Sequence, residues 1–237
     1  MLKLIMIFFL SILLLNANDF MEKRFSISNT TQNTAIINAK NLILGQTGIV
    51  IHKFSNNASI ILSKAKVIST NENNSTIEFL KEKILEQDSL SNTNLKADNN
   101  DTFILNHMYS VSLLIVPNYE ASIAVKTRYL NNFIDSDLFA SYLKIEDTPV
   151  PKKEDFIKFT KKNDIATLYI VIKSKLYILD TTTFALLKIV DLDIKNEKFQ
   201  VPFYTNISDI KTSVFDFISE KKIANYNGYY LNLLGIK

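Results

Sequence analysis

Between residues 48 and 67 the apolar positions fall into two extended runs, 48–54 and 59–67, on either side of the polar triplet Ser55, Asn56 and Asn57. That arrangement predicts a β-hairpin. Gly45-Gln46-Thr47-Gly48, just before it, reads as a turn whose glycines permit positive φ, because the Lys-Ser/Thr tail of a phosphate loop is missing. Residues 77–85 fit either element: Ile77, Leu80, Ile84 and Leu85 suit a helix face, Ile77 and Phe79 a strand. Residues 86–102 are polar and rich in Asn, Ser and Asp, which predicts a solvated loop. An apolar run then covers 103–105, and a second covers 109–118, a buried strand stopped by Pro117.

Farther on, the period lengthens. Leu138, Phe139, Tyr142 and Leu143 share one helical stripe behind Asp135 or Ser136 as cap. Phe156, Ile157 and Phe159 form the apolar side of a second helix, with Pro151 in its first turn, Glu154 and Asp155 early and Lys161-Lys162 late. Residues 208–222 predict a third, with Ile210, Val214, Phe217 and Ile218 on one face. Between the second and third, runs at 167–172, 176–179 and 184–194 predict a three-stranded meander, whose short connections require antiparallel pairing. The fold class is therefore α/β in the mixed α+β sense. A β-rich unit over 18–106 precedes a mixed sheet with about three helices over 107–237.

The first residues stand apart. Lys3 precedes an apolar run over 4–15 broken only by Ser11, and Asn16-Ala17-Asn18-Asp19 is abruptly polar. This reads as a signal peptide over 1–17 with cleavage after Ala17; the alternative, since Leu15 two positions earlier is larger than the usual small residue, is retention as an uncleaved anchor. A membrane-spanning helix needs about 20 apolar residues, and no later segment reaches that length, so no integral span is expected in the mature chain. The expected location is the periplasm or the outer cell surface.

Composition narrows the chemistry. The 237 residues carry 27 Lys plus Arg against 24 Asp plus Glu, a formal net charge of +3, too little field to predict a nucleic-acid partner. Cysteine is absent, which excludes disulfides, thiolate metal sites and thiol nucleophiles. The only histidines are His52, on the hairpin, and His107, at the turn into a strand, and both read as structural imidazoles. Asp98-Asn99-Asn100-Asp101 lacks the glycine and distal Glu of a calcium loop. Asp135 and Asp137 read as helix-start residues, and Asp191 and Asp193 as the solvent face of a strand. No catalytic, metal or cofactor residue is assigned, and the chain is expected not to be an enzyme. Tyr226, Tyr229 and Tyr230 read as core packing. Glu72-Asn73-Asn74-Ser75-Thr76 and Asp98-Asn99-Asn100-Asp101-Thr102 both fit the acidic-extended acceptor of bacterial N-glycosylation, making Asn74 and Asn100 candidate acceptors.

Four stretches taken in order carry a resemblance. They are Gly48-Ile49-Val50-Ile51-His52-Lys53-Phe54, Leu114-Ile115-Val116-Pro117-Asn118-Tyr119, Phe133-Ile134-Asp135-Ser136-Asp137-Leu138-Phe139-Ala140-Ser141-Tyr142-Leu143, and Leu179-Asp180-Thr181-Thr182-Thr183-Phe184. Together they resemble the N-terminal domain of the bacterial plasminogen-binding protein A family. The resemblance implies an exported cell-surface protein that captures host plasminogen through lysines, a C-terminal one included. Here that residue is Lys237, whose ammonium and α-carboxylate suit a pocket with an anionic end, a cationic end and an aromatic floor. The alternative is a periplasmic scaffold whose partner is another periplasmic protein.

Overall fold

The computed structural model describes residues 20–55, 58–81, 95–194, 199–207, 223 and 225–236. Six antiparallel strands close into a barrel: β1 (Lys23–Ser28), β2 (Thr34–Ile37), β3 (Thr47–Lys53), β4 (Ser59–Thr70), β5 (Ser75–Phe79) and β6 (Thr102–Leu105). The order around it is β1-β2-β5-β4-β3-β6, with β6 returning to β1. Inward-facing Ile27, Ile37, Val50, Val67, Ile77, Phe103 and Leu105 fill the interior, as expected of so narrow a barrel. Its wall is tight at Gly48: a Cβ there would stand 2.2 Å from the Ile104 carbonyl oxygen and 2.8 Å from the Phe103 ring.

The second unit is a five-stranded sheet of order β11-β10-β9-β7-β8, made of β7 (Val111–Ile115), β8 (Asn132–Ile134), β9 (Thr167–Ile172), β10 (Lys175–Asp180) and β11 (Leu186–Asp191). β8, β7 and β9 are parallel, and β9, β10 and β11 form the antiparallel meander that the sequence predicts. Helices cover both faces. α1 (Tyr119–Arg128) places Ala121 and Val125 against Leu114, Tyr169, Val171 and Ile178. On the other face lie α2 (Ser136–Ile145), α3 (Lys153–Lys162) and α4 (Tyr226–Leu233), over Leu113, Leu168, Ile170 and Leu179. There Phe139 is wholly buried, its ring centroid 4.7 Å from Phe156, 5.0 Å from Phe159 and 5.5 Å from Phe203.

The mixed α+β class and the barrel-then-sheet order match the pattern of the sequence. Three details differ. The second expected helix begins after Lys152, so Pro151 precedes the cap instead of lying in the first turn. Of the two glycines expected to relax a turn, only Gly45 has positive φ, at +83°, while Gly48 sits within β3 because the barrel leaves no room for a side chain. β1, β2, β8, α1 and α4 have no counterpart among the expected elements. The helix expected over 208–222 lies outside the described residues.

Candidate functional site

The two units meet on a buried polar seam, built by three short stretches around residues 45–47, 106–109 and 180–183. Asp180 ends β10 and is fully buried. Its Oδ1 accepts from the backbone N–H groups of Thr182 and Thr183, each at 2.9 Å. Its Oδ2 accepts from the Thr47 hydroxyl and the Tyr109 hydroxyl, each at 2.5 Å. The Tyr109 oxygen in turn accepts from the Thr47 N–H at 2.9 Å. Beside it, Gln46 Nε2 donates to Asn106 Oδ1 at 2.5 Å, and the Thr183 hydroxyl donates to the Gly45 carbonyl at 2.6 Å. Burial, and after it the neighbouring carboxylate, push the Tyr109 phenol well above its ordinary pKa. Four donors, two on each oxygen, occupy the acceptor sites of the Asp180 carboxylate. The arrangement holds the units in register.

A cleft of about 90 Å³ runs along this seam, between Gly48, Ile49 and Lys64 of the barrel and Ile157, Lys161 and Asp164 at α3. It is far smaller than the roughly 300 Å³ at which ligand pockets begin. Both histidines are paired with carboxylates. His52 Nδ1 donates to the buried Asp101 at 2.7 Å, and His107 Nδ1 donates to Glu22 at 2.8 Å. They lie in separate places, one on β3 and one in the turn after β6. Among the described residues no group of three or more His, Cys, Asp or Glu side chains could hold a metal ion. No helix among them is long and apolar enough to cross a membrane.

The candidate acceptors lie on the barrel. Asn74 closes the β4–β5 turn, where its Oδ1 accepts from Asn71 Nδ2 at 2.9 Å. Asn100 is exposed, with φ of +74°, in the turn before β6. The threonines two positions on, Thr76 and Thr102, each pair with strands on both sides. Lys237 and Ala17 lie outside the described residues. The acidic residues around 135 do what the sequence suggests: Asp135 accepts from the Asp137 N–H at 2.9 Å and caps α2. Asp137 additionally accepts from the Thr205 hydroxyl at 2.5 Å and the Asn206 N–H at 2.8 Å. Desolvation raises the Asp137 pKa, but the bonds from Thr205 and Asn206 outweigh it and hold the carboxyl below its ordinary value. Tyr226 and Tyr230 are buried, donating to the Val171 and Pro202 carbonyls at 3.0 and 2.8 Å, and Tyr229 donates to the Pro151 carbonyl. The seam itself is not evident from spacing. Its sequence signal is the Asp180-Thr181-Thr182-Thr183 run, an acceptor followed by donors.

A barrel and a three-layer sheet, tied together by the hydrogen bonds of Thr47, Tyr109 and Asp180, define a two-unit α+β scaffold. The family model described as "Plasminogen-binding protein pgbA N-terminal" matches residues 23–234, so the chain belongs to that family of binding proteins. No curated protein and no solved structure matches the chain. The four stretches that carry the resemblance have structural work in this fold. The first is β3 of the barrel, Asn118 caps α1, Asp135 caps α2, and Asp180 ties the seam.

Proposed function

We propose that this chain is an exported, cell-surface binding protein that captures plasminogen by offering lysine side chains to its lysine-binding pockets. Family membership over residues 23–234 is the observation that carries this reading. It is supported by the seam and the two imidazole–carboxylate pairs, whose polar atoms are engaged in holding the fold. Lys237, where it ends the mature protein, presents both charges that such a pocket requires. Export follows the signal-peptide reading, with cleavage after Ala17. Asn74 and Asn100 are then positioned to receive a glycan before the barrel closes over Thr76 and Thr102.

The test is binding of plasminogen to the purified mature chain by surface plasmon resonance, with 6-aminohexanoate as a competing lysine analogue. Saturable binding abolished by the competitor is the expected result. Undiminished binding in its presence, or none at all, overturns the lysine-dependent reading. Protection of the protein from added protease on intact cells, lifted only by outer-membrane permeabilisation, would favour the periplasmic scaffold instead.

A further inference from the structure

Lysine is spread through most of the chain, but five of the residues from 152 to 162 are lysines and all five are exposed: Lys152, Lys153, Lys158, Lys161 and Lys162. Helical geometry separates them. Glu154, Lys158 and Lys162 follow at four-residue intervals with Lys161 at their shoulder, so these four form one solvent-facing stripe of α3. The opposite face is fixed by Phe156 and Phe159, both buried against Phe139. The helix ends are fixed too. Asp155 Oδ2 accepts from the Lys152 N–H at 2.7 Å, and Asn163 Nδ2 donates to the Phe159 carbonyl at 2.8 Å.

We propose that this stripe is an internal lysine-presenting surface for plasminogen, with the Lys158 ammonium and the Glu154 carboxylate standing in for the two charges of a terminal lysine. The inference rests on the plasminogen reading above. Four residues along a helix rise about 6 Å, so two long, exposed side chains at that spacing can hold their charges as far apart as the ammonium and carboxylate of one extended lysine. A pocket with an anionic end, a cationic end and an aromatic floor needs that dipolar pair, and Lys161 and Lys162 add the positive field that brings an anionic rim to it. Three other lysines are already engaged. The half-buried Lys66 and the exposed Lys175 are held at 2.8 Å by Glu78 and Asp191, and Lys153 lies over the Phe184 ring at 4.9 Å. Among the described residues neither Glu154 nor Lys158 is engaged in an ion pair, and a pair formed transiently between exposed residues four apart on a helix is weak, so an incoming pocket can take both charges readily. The well-packed helix means little further ordering is needed on binding.

The experiment uses the mature full chain, plasminogen and surface plasmon resonance, with melting curves to confirm that every variant is folded. Lys237→Gln should leave binding that 6-aminohexanoate still competes away. Adding Lys158→Gln to that variant should weaken it by about tenfold or more, and Glu154→Gln by a smaller factor. Lys144→Gln, an exposed lysine of α2, serves as the charge control and should leave binding unchanged. Loss of all binding on Lys237→Gln alone overturns the internal surface while leaving the plasminogen reading standing. An equal loss on Lys144→Gln overturns it too, by showing dependence on net charge alone. Absence of binding by the unaltered chain ends both.

Discussion

The hydroxyl of Tyr109 and the carboxylate of Asp180 meet at 2.5 Å, although 71 positions of chain separate them. Tyr109 sits just before β7 of the sheet and Asp180 at the end of β10, and through Thr47 the pair reaches the barrel. A fully buried carboxylate is tolerable because four donors replace its water.

Asp180→Asn should therefore destabilise the fold by about 3 kcal/mol, since an amide nitrogen would face donors that need an acceptor. Tyr109→Phe should cost about 1 to 3 kcal/mol by leaving the Thr47 N–H without its acceptor. Because the two share a bond, the double variant should lose less than the sum. Urea denaturation of the four proteins measures this cycle, and strict additivity would contradict the coupling.

Gly48→Ala should destabilise by about 3 kcal/mol or more, because the new methyl would press on the Ile104 carbonyl and the Phe103 ring. Gly235→Ala meets no neighbouring atom and should lose only what its positive φ of +68° imposes, about 1 kcal/mol. Comparing their urea midpoints separates a steric cost from a backbone cost.

High pH should unfold the protein through its buried phenols. Burial raises the Tyr226 and Tyr230 pKa values well above 10.0, and burial, then Asp155, lifts Tyr229 to about 12. A group whose folded pKa exceeds its unfolded value contributes its full stability below the unfolded value and loses it as the pH rises through the folded one. The melting temperature should thus fall from about pH 10 upward. Tyr230→Phe should begin lower, lacking the bond to Pro202, and fall less steeply. A melting temperature that stays level across that range would refute this account.

Glycosylation supplies a further prediction. Thr76 and Thr102 are held in barrel strands with neighbours on both sides, so an oligosaccharyltransferase that needs an extended acceptor should modify the chain during export and not after folding. Mass spectrometry of protein exported in the presence of the enzyme should show glycan at Asn74 and Asn100. Purified folded protein treated with the same enzyme should show none, and efficient modification of the folded form would count against this order of events.

The sequence made some elements easy to read and concealed others for physical reasons. α2 and α3 announce themselves because Phe139, Leu143, Phe156 and Phe159 put large apolar groups at helical spacing. α1 buries only Ala121, Ser122 and Val125, and it exposes Ile123 and Tyr119, so its apolar stripe is faint despite a cap at Asn118 and basic residues near its end. α4 contains Gly228, a poor helix former, and depends on Tyr226 and Tyr230 reaching the core. Gly48 looks like a turn glycine because the ring and carbonyl that exclude its side chain come from β6, more than 50 positions away. The seam was hidden for the same reason: Thr47, Tyr109 and Asp180 are unremarkable one at a time.

Phe20 is buried not among barrel residues but beside Leu114 and Val125, its ring 5.9 Å from that of Tyr109 in an edge-on contact. The polypeptide is thus pinned to the sheet before it begins its first circuit of the barrel. Exopeptidases digesting from upstream should stall there, and any label spliced close to Phe20 needs a spacer to clear this clamp.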